Sequence, residues 1–206
     1  MADVYYKLDR NNLYYTNESK SGYTLRPDNA TLSTSKYVIV ELYNDKFELP
    51  ANSAYLFIGA TNTTFNDTDK WDTSTVHTMD YFFYNCRSLT SIDVSNWDTS
   101  NVVVMYSLFY NCSSLTSLNI SSFNTSKVWY MEEMFMGCVN LEHIYVGSGW
   151  DTSLVTGSDY MFKNCTKLHN FNSEYVDKTY AFIDDGTNGG YLEALPWHKF
   201  IVYMKA

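Results

Sequence analysis

The sequence predicts an α/β solenoid, in which stacked repeats each contribute a strand and a helix, with β-rich segments flanking the array. Three observations predict it. Four segments recur at intervals of 26, 26 and 27 residues, beginning at Trp71, Trp97, Phe123 and Trp150. Each opens on Asp/Asn-Thr-Ser, whose side-chain oxygens suit a helix N-cap, and continues with apolar residues spaced as on one helix face, such as Val102, Met105, Leu108, Phe109 and Cys112. Each then turns to a short strand pattern, as in Leu115, Leu118 and Ile120. A strand-plus-helix unit buries its apolar face only against its neighbours, so stacked copies share one core.

The elements follow in chain order. Residues 1–44 form a β-rich segment, a cap or an anchor: Val4 to Leu8 and Leu13 to Thr16 read as a hairpin around Asp9-Arg10-Asn11-Asn12, and Tyr37 to Tyr43 as a strand. The solenoid spans 45–172. Its first repeat, 45–70, is degenerate, with Tyr55, Leu56, Phe57 and Ala60 standing 26 residues before Tyr81, Phe82, Phe83 and Cys86. Full repeats occupy 71–96, 97–122, 123–149 and 150–172. In the last, Gly157-Ser158 falls where the others carry Met79, Met105 and Met131, which predicts a short or distorted fourth helix. Residues 173–206 read as a β-rich C-terminal cap: strand Tyr180 to Ile183, turn Asp184 to Gly190, strand Tyr191-Leu192, and a final strand from Lys199 to Met204. The period falls within the roughly 20–29 residues of leucine-rich repeats, so the array is leucine-rich-repeat-like.

One motif carries a resemblance. Asp-Thr-Ser-x-Val, followed by Met-x-x-Met-Phe-x-x-Cys-x-x-Leu, is kept best at Met131, Met134, Phe135, Cys138 and Leu141. It resembles the BspA-like repeats, including the DUF285 class of bacterial surface proteins. The likeness covers residues 71–172 well, 45–70 loosely, and neither end. It implies a repeat fold and a role in adhesion, host binding or other recognition.

Composition narrows the function. Lys plus Arg number 14 against 23 Asp plus Glu, a net charge of −9, and no cations cluster, which weighs against nucleic acid. No apolar run approaches the roughly 18 residues of a membrane span. The start has neither a basic leader nor an apolar signal region. The 19 Tyr, 5 Trp and 12 Phe, set among Ser, Thr and Asn, are either recognition chemistry or the filling of a β-rich fold.

Cys86, Cys112, Cys138 and Cys165 share one repeat position and predict an inward column of free thiols, because parallel stacking points their Cβ vectors the same way. His77, His143, His169 and His198 are scattered without a nucleophile, and no phosphate loop or catalytic motif occurs. No enzyme activity and no cofactor are expected. Asp67, Asp69 and Asp72 are a weak calcium candidate, Asp72 being equally explained as a helix cap. Asn111 and Asn164 head Asn-x-Ser/Thr triplets over the Cys position, where a glycan would disturb stacking.

Binding candidates come from positions that vary between copies. Trp129, Tyr130 and Tyr106, with His77 and Tyr81, fall at outward helix positions, where they face a ligand or pack on the adjacent repeat. On the strand ladder, His143 and Tyr145 are the better anchors. The resulting expectation is a non-catalytic recognition or adhesion module at the cell surface, binding a surface protein or glycan. A phage tail or virion receptor-binding protein is the alternative, and a structural scaffold without its own ligand the third. Residues 1–44 are the candidate contact for a homo-oligomer or larger assembly.

Overall fold

A computed structural model describes residues 5–9, 12–16, 24–25, 46–60, 64–65 and 68–195, with side chains from residue 48 onward. The expected strands at Tyr37 to Tyr43 and Lys199 to Met204, and Asp67, lie outside the described residues.

The repeats stack, but their described residues form no α-helix. Among the described residues the helical segments are two 3₁₀ turns of three residues, Thr68–Lys70 and Lys178–Tyr180. The α/β solenoid with one helix per repeat is therefore corrected, and the distorted fourth helix with it. The reason lies in where the N–H groups go. In a helix each would bond four residues back along the chain. Here alternate N–H groups leave the repeat: Met79, Tyr81, Phe83 and Asn85 donate to the carbonyls of Val104, Tyr106, Leu108 and Tyr110 in the next one, at 2.8–3.0 Å. Between them run turn bonds, Phe82 to Met79, Tyr84 to Tyr81 and Cys86 to Phe83. Each repeat is thus a polygon of tight turns, and isolated parallel bridges join Asn52, Thr78, Val104, Tyr130 and Gly157 from layer to layer.

The apolar pattern read as a helix face is the signature of those turns. Val76, Met79, Phe82, Phe83, Cys86 and Leu89 are all fully buried. Turn bonds from Val76 to Thr73, Phe82 to Met79, Cys86 to Phe83 and Leu89 to Cys86 each begin and end on an inward residue. The inward spacing is three because each turn spans three residues.

Like residues consequently fall in columns. Phe57, Phe83, Phe109, Phe135 and Phe162 stack with centroids 5.5–6.1 Å apart and planes within 14°. Trp71, Trp97 and Phe123 form a second column, at 5.7 and 6.4 Å. Each buried ring contributes about 1.5–3 kcal/mol by leaving water. The thiols of Cys86, Cys112, Cys138 and Cys165 are free and buried, and donate to the carbonyls of Phe57, Phe83, Phe109 and Phe135 at 3.0–3.2 Å. Burial pushes the Cys138 thiol up to about 12 and raises those of Cys112 and Cys165 as well.

The Asp-Thr-Ser motif caps a turn, not a helix. Asp72, Asp98, Asn124 and Asp151 each accept the backbone N–H of the Ser two residues on. The buried Thr hydroxyls bridge layers: Thr99 Oγ1 donates to Asn124 O at 3.0 Å and accepts from Asn124 N at 2.8 Å, and Thr73 and Thr125 do the same to Asp98 and Asp151.

Two small sheets flank this column. The hairpin β1 (Tyr5–Asp9) and β2 (Asn12–Thr16) pairs antiparallel as expected, with β3 (Thr24–Leu25) outside it. β1 also pairs in parallel with β4 (Lys46–Glu48), which pairs in parallel with β5 (Trp71–Asp72). In the second sheet β6 (Ser117–Ile120), β7 (His143–Val146) and β8 (Glu193–Ala194) are parallel neighbours. The strand pattern thus forms a ladder in two repeats, whereas Ser91 to Val94 is irregular. At the C-terminal end the buried Tyr191 meets Phe162 edge-on, at 5.3 Å and 86°, and its hydroxyl donates to Tyr175 O at 2.8 Å.

Thr99→Val keeps the shape of the side chain but leaves the Asn124 N–H and C=O unpaired, so it should cost about 1–3 kcal/mol in urea denaturation. Ser126→Ala, at an exposed hydroxyl of the same motif, should cost no more than about 0.5 kcal/mol. A thiol reagent should leave all four cysteines unmodified in the native protein and modify all of them after unfolding.

Candidate functional site

Two columns of left-handed backbone run along the stack, one at each end of the turn over the Phe column. The first holds Gly59, Asn85, Asn111, Gly137 and Asn164, with φ between 56° and 80°. Gly and Asn adopt this region at least cost. A Cβ at Gly137 would sit 3.1 Å from Asn111 Oδ1, so glycine also suits the spacing there. The second column holds Tyr55, Tyr81, Ser107, Glu133 and Tyr160, with φ between 50° and 64°. None is glycine or asparagine, and for such residues the conformation costs about 1–2 kcal/mol each.

Tyr55 and Tyr81 of this column belong to a larger aromatic face. Tyr55 and Tyr81 stack at 4.6 Å with planes 12° apart, and Tyr84 and Tyr110 at 4.5 Å and 13°. Tyr81 joins the pairs, edge-on to Tyr84 at 5.3 Å and tilted against Tyr106 at 5.0 Å. Tyr55 is 51% exposed and the other four are half-buried. The Tyr106 hydroxyl lies 3.4 Å and the Ser107 hydroxyl 3.0 Å from Glu133 Oε2. Burial, then the neighbouring Tyr106 hydroxyl, pushes the Tyr81 phenol well above its usual range. Tyr110 is raised by burial, then by the charge of Tyr84 and of Glu133. These phenols keep their protons and present hydroxyl groups. Burial also raises the Asp80 carboxyl beside Tyr81, against the bond from its own backbone N–H.

Of the residues singled out from sequence, Tyr81 and Tyr106 lie in this face. Tyr55, Tyr84 and Tyr110 were missed, although Tyr55 precedes Tyr81, and Tyr84 precedes Tyr110, by one repeat. His77 and Trp129 belong to one column two layers apart, with Val103 between them, and Tyr130 to the adjacent column. All three are exposed, Trp129 at 50% and Tyr130 at 46%, and lie at the bridged stretch before the turns rather than on a helix.

His143 and Tyr145 lie elsewhere, on β7, with rings 5.9 Å apart. His143 Nδ1 pairs with Glu193 Oε1 at 2.6 Å, and His169 Nε2 with Asp184 Oδ2 at 2.9 Å. Glu142, His143, Lys167 and His169 line a shallow open depression there. These contacts fasten the C-terminal segment to the last repeats. Asp69 lies in a 3₁₀ turn, and Asp72 Oδ1 accepts the N–H and hydroxyl of Ser74. Among the described residues no group of three or more His, Cys, Asp or Glu could hold a metal ion, and no helix is long and apolar enough to cross a membrane.

The His169 ring, then the Gly186 N–H, holds the Asp184 carboxyl below its usual range. A depressed folded value contributes stability above the unfolded carboxylate pKa of roughly 3.9, and that contribution is lost as pH falls through the folded value. In His169→Ala, NMR titration of the Asp184 carboxyl should give a higher midpoint than in the parent chain.

Residues 51–178 match a family model described as a Mycoplasma protein of unknown function, DUF285. No curated protein and no solved structure matches the chain.

Proposed function

The chain belongs to the DUF285 family, and from that premise we propose that it is a non-catalytic recognition module, displayed at a cell surface, that binds its partner through the tyrosine face. One observation carries this reading. At the left-handed column of Gly59, Asn85, Asn111, Gly137 and Asn164 the sequence uses the residues that fit cheaply. At the parallel column it keeps Tyr55, Tyr81 and Tyr160 in a conformation that bulky residues rarely adopt. Backbone strain retained at the exposed Tyr55 and Tyr160 and the half-buried Tyr81 points to a use for those side chains. Tyrosine offers large contact area at low entropic cost, which suits a binding surface.

Recognition of this kind uses an exposed ridge of ring edges and hydroxyls. Trp129 and Tyr130 are the competing surface. The test is binding of the labelled chain to arrays of cell-surface proteins and glycans. Tyr84→Ala with Tyr110→Ala, and separately Tyr81→Asn, which tolerates the left-handed backbone, should each weaken binding about tenfold or more, as expected for anchor residues. Trp129→Ala with Tyr130→Ala should change it little. Binding that survives the tyrosine variants but not the Trp129 pair would move the site to the other surface.

A further inference from the structure

Resting on that reading, we propose that the partner is a basic protein segment, bearing arginine or lysine, which lies along the tyrosine face with its cations toward an acidic end. The face is not uniform along the stack. The column that begins with Tyr55 and Tyr81 continues through Ser107 to Glu133, and the one beside it runs Asp80, Tyr106, Glu132, Asp159. Five tyrosines therefore run into Glu132, Glu133 and Asp159. The two parts are continuous: Glu133 takes the Ser107 hydroxyl, and its N–H donates to Asp159 O at 3.0 Å. The Glu133 carboxylate also reaches the aromatic part directly, its Oε2 lying 3.4 Å from the Tyr106 hydroxyl.

Three further observations give the occupant its sign. Glu132 folds its carboxylate over Gly157, in the column of Tyr130, and so adds its negative charge beside the face. Lys163 Nζ sits 4.4 Å over the Tyr160 ring, so the chain's own cation already settles at this end of the face. The chain as a whole carries −9. Against these stand two cations near the face, Lys163 itself and the exposed Arg87. A neutral sugar fits less well, because it stacks on an open ring face, and the faces between Tyr55 and Tyr81 and between Tyr84 and Tyr110 cover each other. What this face does offer is its phenol oxygens with the Glu133 and Asp159 carboxylates, which accept from guanidinium or ammonium donors.

The experiment uses the full chain and three fluorescent peptides of equal length: Arg-Gly-Ser repeats, Lys-Gly-Ser repeats and Glu-Gly-Ser repeats, read by anisotropy at low and physiological salt. The two basic peptides should saturate, and the acidic one should not bind. Neutralising Glu132→Gln, Glu133→Gln and Asp159→Asn together should weaken basic-peptide binding about tenfold or more, and so should Tyr84→Ala with Tyr110→Ala. A control with the same change in net charge (Asp69→Asn, Glu142→Gln, Glu174→Gln) should change it less than about twofold, since exposed charges distant from a site are screened. Thermal melts keep folding defects apart from binding defects. Equal losses in the control and face variants, or no saturable basic-peptide binding, would overturn the proposal. If a neutral glycan or another protein instead bound in a tyrosine-dependent way, the partner's chemistry would be wrong and the face right. Indifference of every probe to the tyrosines would remove the face as well.

Discussion

The structure depends on one constraint, the hydrogen bond from a residue's N–H to the carbonyl just before its counterpart one repeat later. Phe57 bonds to Phe82, Phe83 to Leu108, Phe109 to Met134 and Phe135 to Met161, each at 2.9 Å. Because the bonds recur at nearly fixed sequence separation, every layer takes the register of the one before. Identical residues then lie over one another, and a favourable contact made once is made in every layer. The Phe column, the thiol-to-carbonyl bonds and the bridging Thr hydroxyls all follow from that register. It also explains why the chain has little conventional secondary structure yet a continuous core.

Much of this was legible in the sequence, because a register repeated in space is repeated in the letters. The period and the inward residues could be read directly, and so could the free Cys86, Cys112, Cys138 and Cys165. The helix was misread for a specific reason. Spacing of three residues is close to the helical 3.6, and Asp-Thr-Ser serves a turn as readily as a helix cap. What separates the two cases is the destination of the N–H groups, which no single repeat reveals. A clue did exist in Asn85, Asn111 and Asn164, since asparagine at a fixed phase marks left-handed backbone, which an uninterrupted helix excludes.

The tyrosine face was half legible. Tyr81 and Tyr106 stood out as outward residues, while Tyr55 served only to mark the degenerate repeat and Tyr84 and Tyr110 were not singled out. Tyr84 and Tyr110 share a repeat position, but Tyr81 meets Tyr106 from the neighbouring one. Reading along single columns therefore finds pairs and misses the surface that joins them. The BspA-like character of the motif rests on the letters alone, whereas membership of DUF285 rests on a match across residues 51–178.

A column built by one repeated bond has no inherent length. Each layer offers the next the same donors, acceptors and ring faces, which is the geometry of a growing fibre. Tyr191 breaks the succession: its ring stands at 86° to Phe162, where a further phenylalanine would lie flat. Its hydroxyl is held by Asn172 and Tyr175, so the ring has no freedom to turn flat and accept another copy. One perpendicular ring thus ends the run of flat-stacked rings at Phe162, so the repetition that builds the column also has a built stop.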